Sequence, residues 1–449
     1  MNSGYAGVRV LVAGAAVAGA AVAKALLARG AEVLVADQRE SDRTAELEQL
    51  GARYVGLPDV VPAGVRTVVV SPGWRPTHPL LVAAAAAGVA VIGEVELGWQ
   101  LRDPGVPWLA VTGTNGKTTT VLMLASILRA AGLRTVAAGN VGLPLVEVSA
   151  GPFDVLAVEL GSPQLHSAPS IRPLAGTVLN IAEDHLDWHG SFAAYVGAKR
   201  RVYAGNVAAV VNADDDWSVR LADGARTVGF TLSVPRRGQL GVVDGTLLDR
   251  SGADDVPLTD TADIPVPGPH NVANALAAAA LARIYGVLPG AVAEGLRRFE
   301  PAPHRNALVS TVDGVAYVDD SKATNPHAAA ASLSAYPRVV WIAGGLLKGV
   351  AVDDFVASVR DRLAAVVLLG ADRQVLAEAL ARHAPDVPVT QVTRTDNGAM
   401  DEVVARAAGW ARPGETVLLA PAAASWDMFT DYSARGRAFS AAVLRRAAR

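Results

Sequence analysis

The chain contains no cysteine, which excludes a disulfide framework and any thiolate-ligated metal. Aromatic residues make up only 5% of its 449 residues, too few for a broad stacking surface. Charge is scarce as well: 18% of residues carry it and the net charge is −3. That leaves no bulk electrostatic argument for nucleic acid or an anionic membrane surface. No hydrophobic run reads as a membrane span. The nearest, Val8 to Ala28, contains Lys24, and Gly14 and Gly19 divide it into strand, turn and helix. It barely reaches the length a span needs. With no targeting segment to read, a cytoplasmic location is the expectation. What the sequence has in quantity is Ala and Val, the composition of helices packed closely on parallel sheets. Its length argues for about two to four domains.

Short Val/Ile/Leu runs alternate with Ala-rich helical stretches, the pattern of parallel sheets with crossover helices. Three blocks separate. Residues 1–103 hold strands at Val8–Ala13, Glu32–Ala36 and Thr67–Val70, which end in turns at Gly14, Asp37-Gln38-Arg39 and Ser71-Pro72-Gly73. Asp103-Pro104-Gly105-Val106-Pro107 reads as a linker. Residues 104–301 open with strand Trp108–Val111 and a helix over Thr118–Ala131. They continue with strands at Val155–Glu159, Gly176–Leu179 and Ala208–Val211. The polar pieces of 225–265, with a turn at Asp244-Gly245, suggest a small antiparallel flap before the helix His270–Tyr285. Phe299 to Pro303 reads as a second linker, and residues 302–449 again alternate, with strands at Val315–Val318, Val339–Ala343, Ala365–Leu369 and Glu415–Ala420. The fold class expected is α/β in three domains: Rossmann-like, a parallel sheet like that of P-loop ATPases, and Rossmann-like again. Ligands in such sheets bind beyond the carboxyl ends of the strands.

One of those strand ends carries the strongest signal in the chain. Strand Trp108–Val111 runs into Thr112-Gly113-Thr114-Asn115-Gly116-Lys117-Thr118-Thr119, and a helix follows. Glycines let backbone N–H groups converge on phosphate oxygens, the helix adds its positive end, Lys117 reaches the outer phosphates and Thr118 can hold Mg²⁺. The longer form of the pattern wants glycine at position 111, where this chain has Val. The competing reading, a surface turn rich in Gly and Thr, does not account for the flanking strand and helix. Glu159 closes a buried strand, a costly place for a carboxylate unless it meets a cation or donors. In Glu183-Asp184-His185-Leu186-Asp187, His185 could ligate metal or hold substrate, or be an ordinary polar loop residue. Residue by residue, Lys199 reads as a solvated position on a helix beginning near Phe192.

Taken in order, these pieces resemble the Mur ligase family of peptidoglycan synthesis. Thr112–Thr120, Glu159, Asn180-Ile-Ala-Glu-Asp-His-Leu-Asp187, Lys199, His270-Asn271-x-x-Asn274, His304-Arg305 and Asp320-Ser-Lys-Ala-Thr-Asn325 carry the match, which spans essentially the whole chain. Asp319 to Thr324, Gly344-Gly-Leu-Leu-Lys348-Gly and Ser425 to Tyr432 are similar to the branch that adds D-glutamate to UDP-N-acetylmuramoyl-L-alanine. The resemblance implies phosphorylation of the substrate carboxylate by ATP, attack of the amino-acid amine on the acyl phosphate, and release of ADP and phosphate. It implies ATP and Mg²⁺ (two ions), UDP-N-acetylmuramoyl-L-alanine and D-glutamate as ligands, and a monomer without a membrane anchor.

The same resemblance implies roles by position. Lys117, His185 and Lys199 would serve catalysis; Thr118, Glu159, His185 and a carbamylated Lys199 would face metal. Gly113 to Thr119, Asn271, Asn274, His304, Arg305 and Asp320 would hold ATP. Gly14, Val17, Ala18, Asp37, Gln38, Arg39, Ser71, Gly73, Asn140, Ser162 and Gln164 would hold the UDP-substrate. Lys322, Thr324, Lys348, Ser425, Trp426 and Tyr432 would form the D-glutamate pocket, where two lysines suit a dicarboxylate. Two departures stand out. Glu159-Leu-Gly161-Ser-Pro163-Gln-Leu165 lacks the hydroxyl and the aromatic ring usual at 161 and 163, and Tyr432 stands where Phe is common. Three alternatives remain open from sequence: a nicotinamide dehydrogenase on the first block, against which Ala16 in Gly14-Ala-Ala-Val-Ala-Gly19 argues; an ATPase with no amino-acid acceptor; and a sibling ligase using another amino acid or a folate.

Overall fold

A computed structural model describes residues 4–396 and 398–448. Three sheets organise it, and each one follows from apolar runs buried on both faces. In the first, five parallel strands lie in the order Arg53–Tyr54, Glu32–Ala36, Arg9–Ala13, Thr67–Val70, Ala90–Gly93. Chain direction across the sheet reverses between Arg9–Ala13 and Thr67–Val70. The turns that leave those two strands therefore diverge and open a crevice between them.

The second sheet has nine strands. Trp108–Thr112 sits between Leu156–Glu159 and Ala175–Val178, with Ala137–Gly139 at one edge. On the other side Ala208–Asn212 and Thr227–Phe230 extend it in parallel. The expected antiparallel flap is the edge of this same sheet. Gln239–Val243 pairs parallel with Thr227–Phe230, and Thr246–Asp249 and Val256–Asp260 then add antiparallel to the same sheet. Asp244 and Gly245 form the two-residue connection with φ of 47° and 80°, the left-handed pair that a tight hairpin demands. Helix Lys117–Ala130 crosses helix Pro289–Arg297 at Gly295, where an added Cβ would lie 2.6 Å from Ile127 N. Only glycine lets the two backbones approach so closely.

The third sheet runs Ala307–Val312, Val315–Asp319, Thr416–Leu419, Val339–Gly344, Leu363–Leu369, Val389–Gln391, antiparallel only between the first two. Trp341, fully buried in its middle strand, gives its indole N–H to Ala420 O at 2.7 Å. The chain forms two compact units. The first comprises Met1–Asp263 with Ala273–Phe299, so it holds the first two sheets; the second comprises Ile264–Val272 with Glu300–Arg449. Among the described residues no helix is long and apolar enough to cross a membrane.

Candidate active site

In the first unit two glycines and a neighbouring strand end set the shape of the phosphate loop. Gly113 and Gly116 have φ of 155° and 83°. A side chain at Gly116 would collide with Asn274 Oδ1, which itself accepts from Thr120 Oγ1 at 3.2 Å. The loop is braced from the neighbouring strand end: Thr114 N donates to Asn180 O at 3.0 Å and Asn115 N to Asn180 Oδ1 at 2.9 Å. Thr114 Oγ1 lies 2.7 Å from the Tyr195 hydroxyl, whose burial raises its pKa. Lys117 Nζ curls back onto Gly113 O and Thr114 O at 2.9 and 2.8 Å. Thr118 is buried in the first turn of the helix.

Lys199 is not the solvated residue that its local sequence suggests. It is 2% exposed, and Nζ donates to Gly113 O at 2.7 Å and Thr112 Oγ1 at 3.3 Å. Burial, with Lys117 nearby, drives its pKa well below the ordinary lysine value. Glu159 pairs in register with Val111, at the mouth of the loop. Its Oε1 accepts from Asn140 Nδ2 at 2.7 Å, while its shielded Oε2 has no hydrogen-bond partner among the described residues. A buried carboxylate oxygen without a donor is what a hard cation would satisfy, so the residues present fit Mg²⁺. His185 sits on a left-handed backbone (φ 52°), and its pKa is lowered, first by burial. No three or more His, Asp or Glu side chains gather into a metal cluster among the described residues.

The turns beyond the first sheet carry a second group of the predicted residues of this unit. Gly14 has φ 98°, and a Cβ there would meet Ser71 Oγ at 2.7 Å and Trp74 Nε1 at 2.9 Å. Asp37 turns inward to accept from Ala15 N at 2.7 Å, fixing the turn, and its own backbone carbonyl accepts from Tyr54. Helix Val17–Leu27 starts without a side-chain cap, and Val17 is 63% exposed. Gln38, Arg39 and Gly73 are exposed. Trp188 Nε1 donates to Pro72 O at 3.1 Å and Arg75 pairs with Asp187 at 2.8 Å, tying this crevice to the loop that carries His185. The Gly161/Pro163 departure has a local reason: Gly161 precedes a short helix Ser162–His166 with proline in its first turn, where the missing N–H costs nothing. Gln164 Oε1 takes Gly161 N at 2.9 Å, and Ser162 is buried with a hydroxyl that has no hydrogen-bond partner among the described residues.

In the second unit three adjacent strands, Val315–Asp319, Thr416–Leu419 and Val339–Gly344, send their following loops outward side by side. These loops carry Lys322 and Thr324, Ser425 and Trp426, and Lys348. Lys322 Nζ lies 4.1 Å over the Tyr432 ring, and Lys348 Nζ 4.5 Å over Trp426, which is 66% exposed. Each lysine thus rests on an aromatic face that holds a cation without neutralising it. Beneath them Arg435, 1% exposed, donates to Ser321 Oγ, Ser321 O and Ala423 O at 3.0, 2.9 and 3.1 Å. Burial pulls its pKa down to about 10. One guanidinium therefore ties together two of the three loops. Asp320, lifted to about 6 by burial, accepts from Asn306 N at 3.2 Å. His304 has φ 62° and bonds Asp319. Asn271, 3% exposed, gives its amide to Pro267 O at 2.8 Å.

Sequence reasoning missed Tyr195, Arg435 and any role for Asp319. An arginine three residues into the helix Tyr432–Ala447, right after the aromatic loop, was the available sign; the other two carry no local mark.

Residues 8–93 match the Mur ligase MurD-like N-terminal domain, residues 111–282 the Mur ligase middle domain, and residues 304–423 the Mur ligase glutamate ligase domain. A UDP-N-acetylmuramoylalanine–D-glutamate ligase of Streptomyces coelicolor is 55% identical, covering 99% of this chain and 99% of its own. The ligase of that name from Thermobifida fusca is 56% identical over 97% and 98%. Among solved structures, the UDP-N-acetylmuramate–alanine ligase of Thermotoga maritima covers 98% of this chain and 99% of its own at a TM-score of 0.60. At 20% identity it speaks for the fold alone.

Proposed function

This chain belongs to the Mur ligase family, and from that premise we propose that it joins D-glutamate to UDP-N-acetylmuramoyl-L-alanine at the expense of ATP. The observation that carries the chemistry is a convergence on one strand end. A glycine-bent phosphate loop, two lysines and a buried carboxylate oxygen without a hydrogen-bond partner among the described residues meet there. The amino-acid identity rests on the full-length likeness to D-glutamate ligases, with two ring-supported lysines to receive a dicarboxylate.

In this reading the loop amides and Lys117 bind the β- and γ-phosphates of ATP, and Lys117 leaves its carbonyl partners to do so. Thr118, Glu159 and His185 hold Mg²⁺, together with a carbamylated Lys199; the ions supply charge neutralisation when bound. Burial shifts Lys199 toward its neutral amine, the form that adds to CO₂ with loss of a proton, and the product is an anion where an ammonium would repel a cation. Asn140, fixed by its bond to Glu159, together with Ser162 and Gln164, orients the muramoyl end of the substrate. Gly14, Val17, Ala18, Asp37, Gln38, Arg39, Ser71 and Gly73 take the UDP end. Asn271, Asn274, His304, Arg305 and Asp320 serve the nucleotide. Lys322, Thr324, Lys348, Ser425, Trp426 and Tyr432 take D-glutamate. The carboxylate oxygen attacks the γ-phosphorus and ADP leaves. The amine then attacks the acyl carbon, loses a proton, and phosphate leaves. We place the domain boundaries at 103/104 and 301/302, and the enzyme in the cytoplasm as a monomer.

Purified protein should release phosphate from ATP only when both UDP-N-acetylmuramoyl-L-alanine and D-glutamate are supplied. Equal turnover with L-glutamate, or turnover with no amino acid, overturns the assignment.

A further inference from the structure

The His304–Asp319 pair is built more tightly than a contact residue needs. Nδ1 of His304 lies 2.6 Å from Oδ2 of Asp319, with the side chains 13% and 2% exposed. Ser440 Oγ donates to the same oxygen at 3.4 Å, and Ser321 N donates to Oδ1 at 2.9 Å. A third element is shaped around the pair. Gly436, in the helix Tyr432–Ala447, packs so closely that a Cβ there would overlap His304 Nδ1 and come within 2.8 Å of Asp319 Oδ2. The His304 backbone is also pinned: it takes a left-handed conformation and its carbonyl accepts Lys322 N at 3.1 Å.

We propose that Asp319 is a positioning residue that holds His304 in the tautomer protonated at Nδ1, so that Nε2 presents a lone pair to the exocyclic amine of the bound nucleotide's base, a group that only donates. An ionised carboxylate only accepts hydrogen bonds, so the imidazole nitrogen facing it must donate. In the neutral ring the second nitrogen is then the acceptor. The inference rests on the reading of His304 as a nucleotide contact and goes beyond it by fixing which atom acts and what controls it.

The surroundings make the substitution Asp319→Asn informative. Ser321 N can only donate, so the amide oxygen stays on it and the NH₂ group turns toward His304 Nδ1. Nδ1 must then accept, which moves the ring proton to Nε2. The full chain labelled with ¹⁵N-histidine, with His304→Gln to assign the signal, should show His304 protonated at Nδ1 in the parent and at Nε2 in Asp319→Asn. Calorimetric affinity for Mg-ATP should fall roughly three- to tenfold in Asp319→Asn, the scale of one lost hydrogen bond. Against a His304→Gln background the same change should have no effect. Should Asp319→Asn not fold, Gly436→Ala displaces the ring while keeping the carboxylate and should lower ATP affinity as much. Parent protein protonated at Nε2, or unchanged ATP affinity in a variant with the inverted tautomer, overturns the proposal. Neither readout needs turnover, so a failed ligase assay would count against the proposed reaction alone.

Discussion

His270 opens the helix Pro269–Tyr285 with Nδ1 shielded and without a hydrogen-bond partner among the described residues. Burial lowers its pKa from 6.5 to about 4. The native state therefore binds fewer protons than the unfolded chain below the unfolded value of 6.5, and stability must fall as pH falls. The loss begins near 6.5, accumulates down to about 4 and then levels off, because the native ring protonates there too. Each tenfold change in proton affinity is worth roughly 1.4 kcal/mol, so between about pH 7 and about pH 4.5 the gap amounts to about 2.5 kcal/mol. His270 as a whole is only half-buried, and solvent screening reduces the expectation to about 1–2 kcal/mol. His270→Phe keeps a flat ring and cannot take a proton. Urea unfolding at both pH values, read by a hydrogen-exchange pulse at one fixed pH, reports strand Val339–Gly344 by mass spectrometry. The parent should lose about 1–2 kcal/mol more than His270→Phe on acidification. Parallel losses in the two proteins would refute the reasoning, whatever the variant does to stability at neutral pH.

Lys117→Ala should lower turnover about 10²–10³-fold, the scale of a lost donor to a charged transition state, with less change in substrate affinity; near-parental turnover would contradict the reading of the loop. Lys199→Ala should be inactive and partly restored by a short-chain carboxylate such as acetate, with bicarbonate a poor substitute; failure of every acid tested would count against the carbamate. Gly295→Ala should destabilise the first unit by roughly 1–3 kcal/mol, because overlap with the Ile127 backbone outweighs the roughly 1 kcal/mol of helix propensity gained. An unchanged or raised thermal midpoint would show that the helix pair yields easily.

Much of this architecture was readable because its signals are local. The runs ending at Ala13, Val70, Thr112 and Glu159 are buried on both faces, and such strands show themselves as unbroken apolar stretches. Glycines at 113 and 116 mark the loop because their backbone angles admit little else. What escaped has a common cause. Ala137–Gly139 is a three-residue edge strand of Ala-Ala-Gly, with no β-branched residue to declare it. Lys199 looks like surface because a helix's local sequence does not say which face meets the phosphate loop. Arg435 and Asp319 acquire meaning only once strands distant in sequence lie side by side, since the partners of Arg435 stand 12 to 114 residues away.

The second unit is assembled from two stretches that the ribosome delivers at different times. Ile264–Val272 emerges first, then Ala273–Phe299, which belongs to the other unit, and only afterwards the chain from Glu300 onward. Buried Ile264 and Val266, and the Pro267 carbonyl that receives Asn271, are therefore synthesised before the rest of the unit they belong to. At roughly 5–20 residues per second, the wait is several seconds at least. A fragment begun at residue 300 would carry every strand of the third sheet and still lack one of the unit's two stretches. The second unit is complete only in a chain that also carries Ile264–Val272.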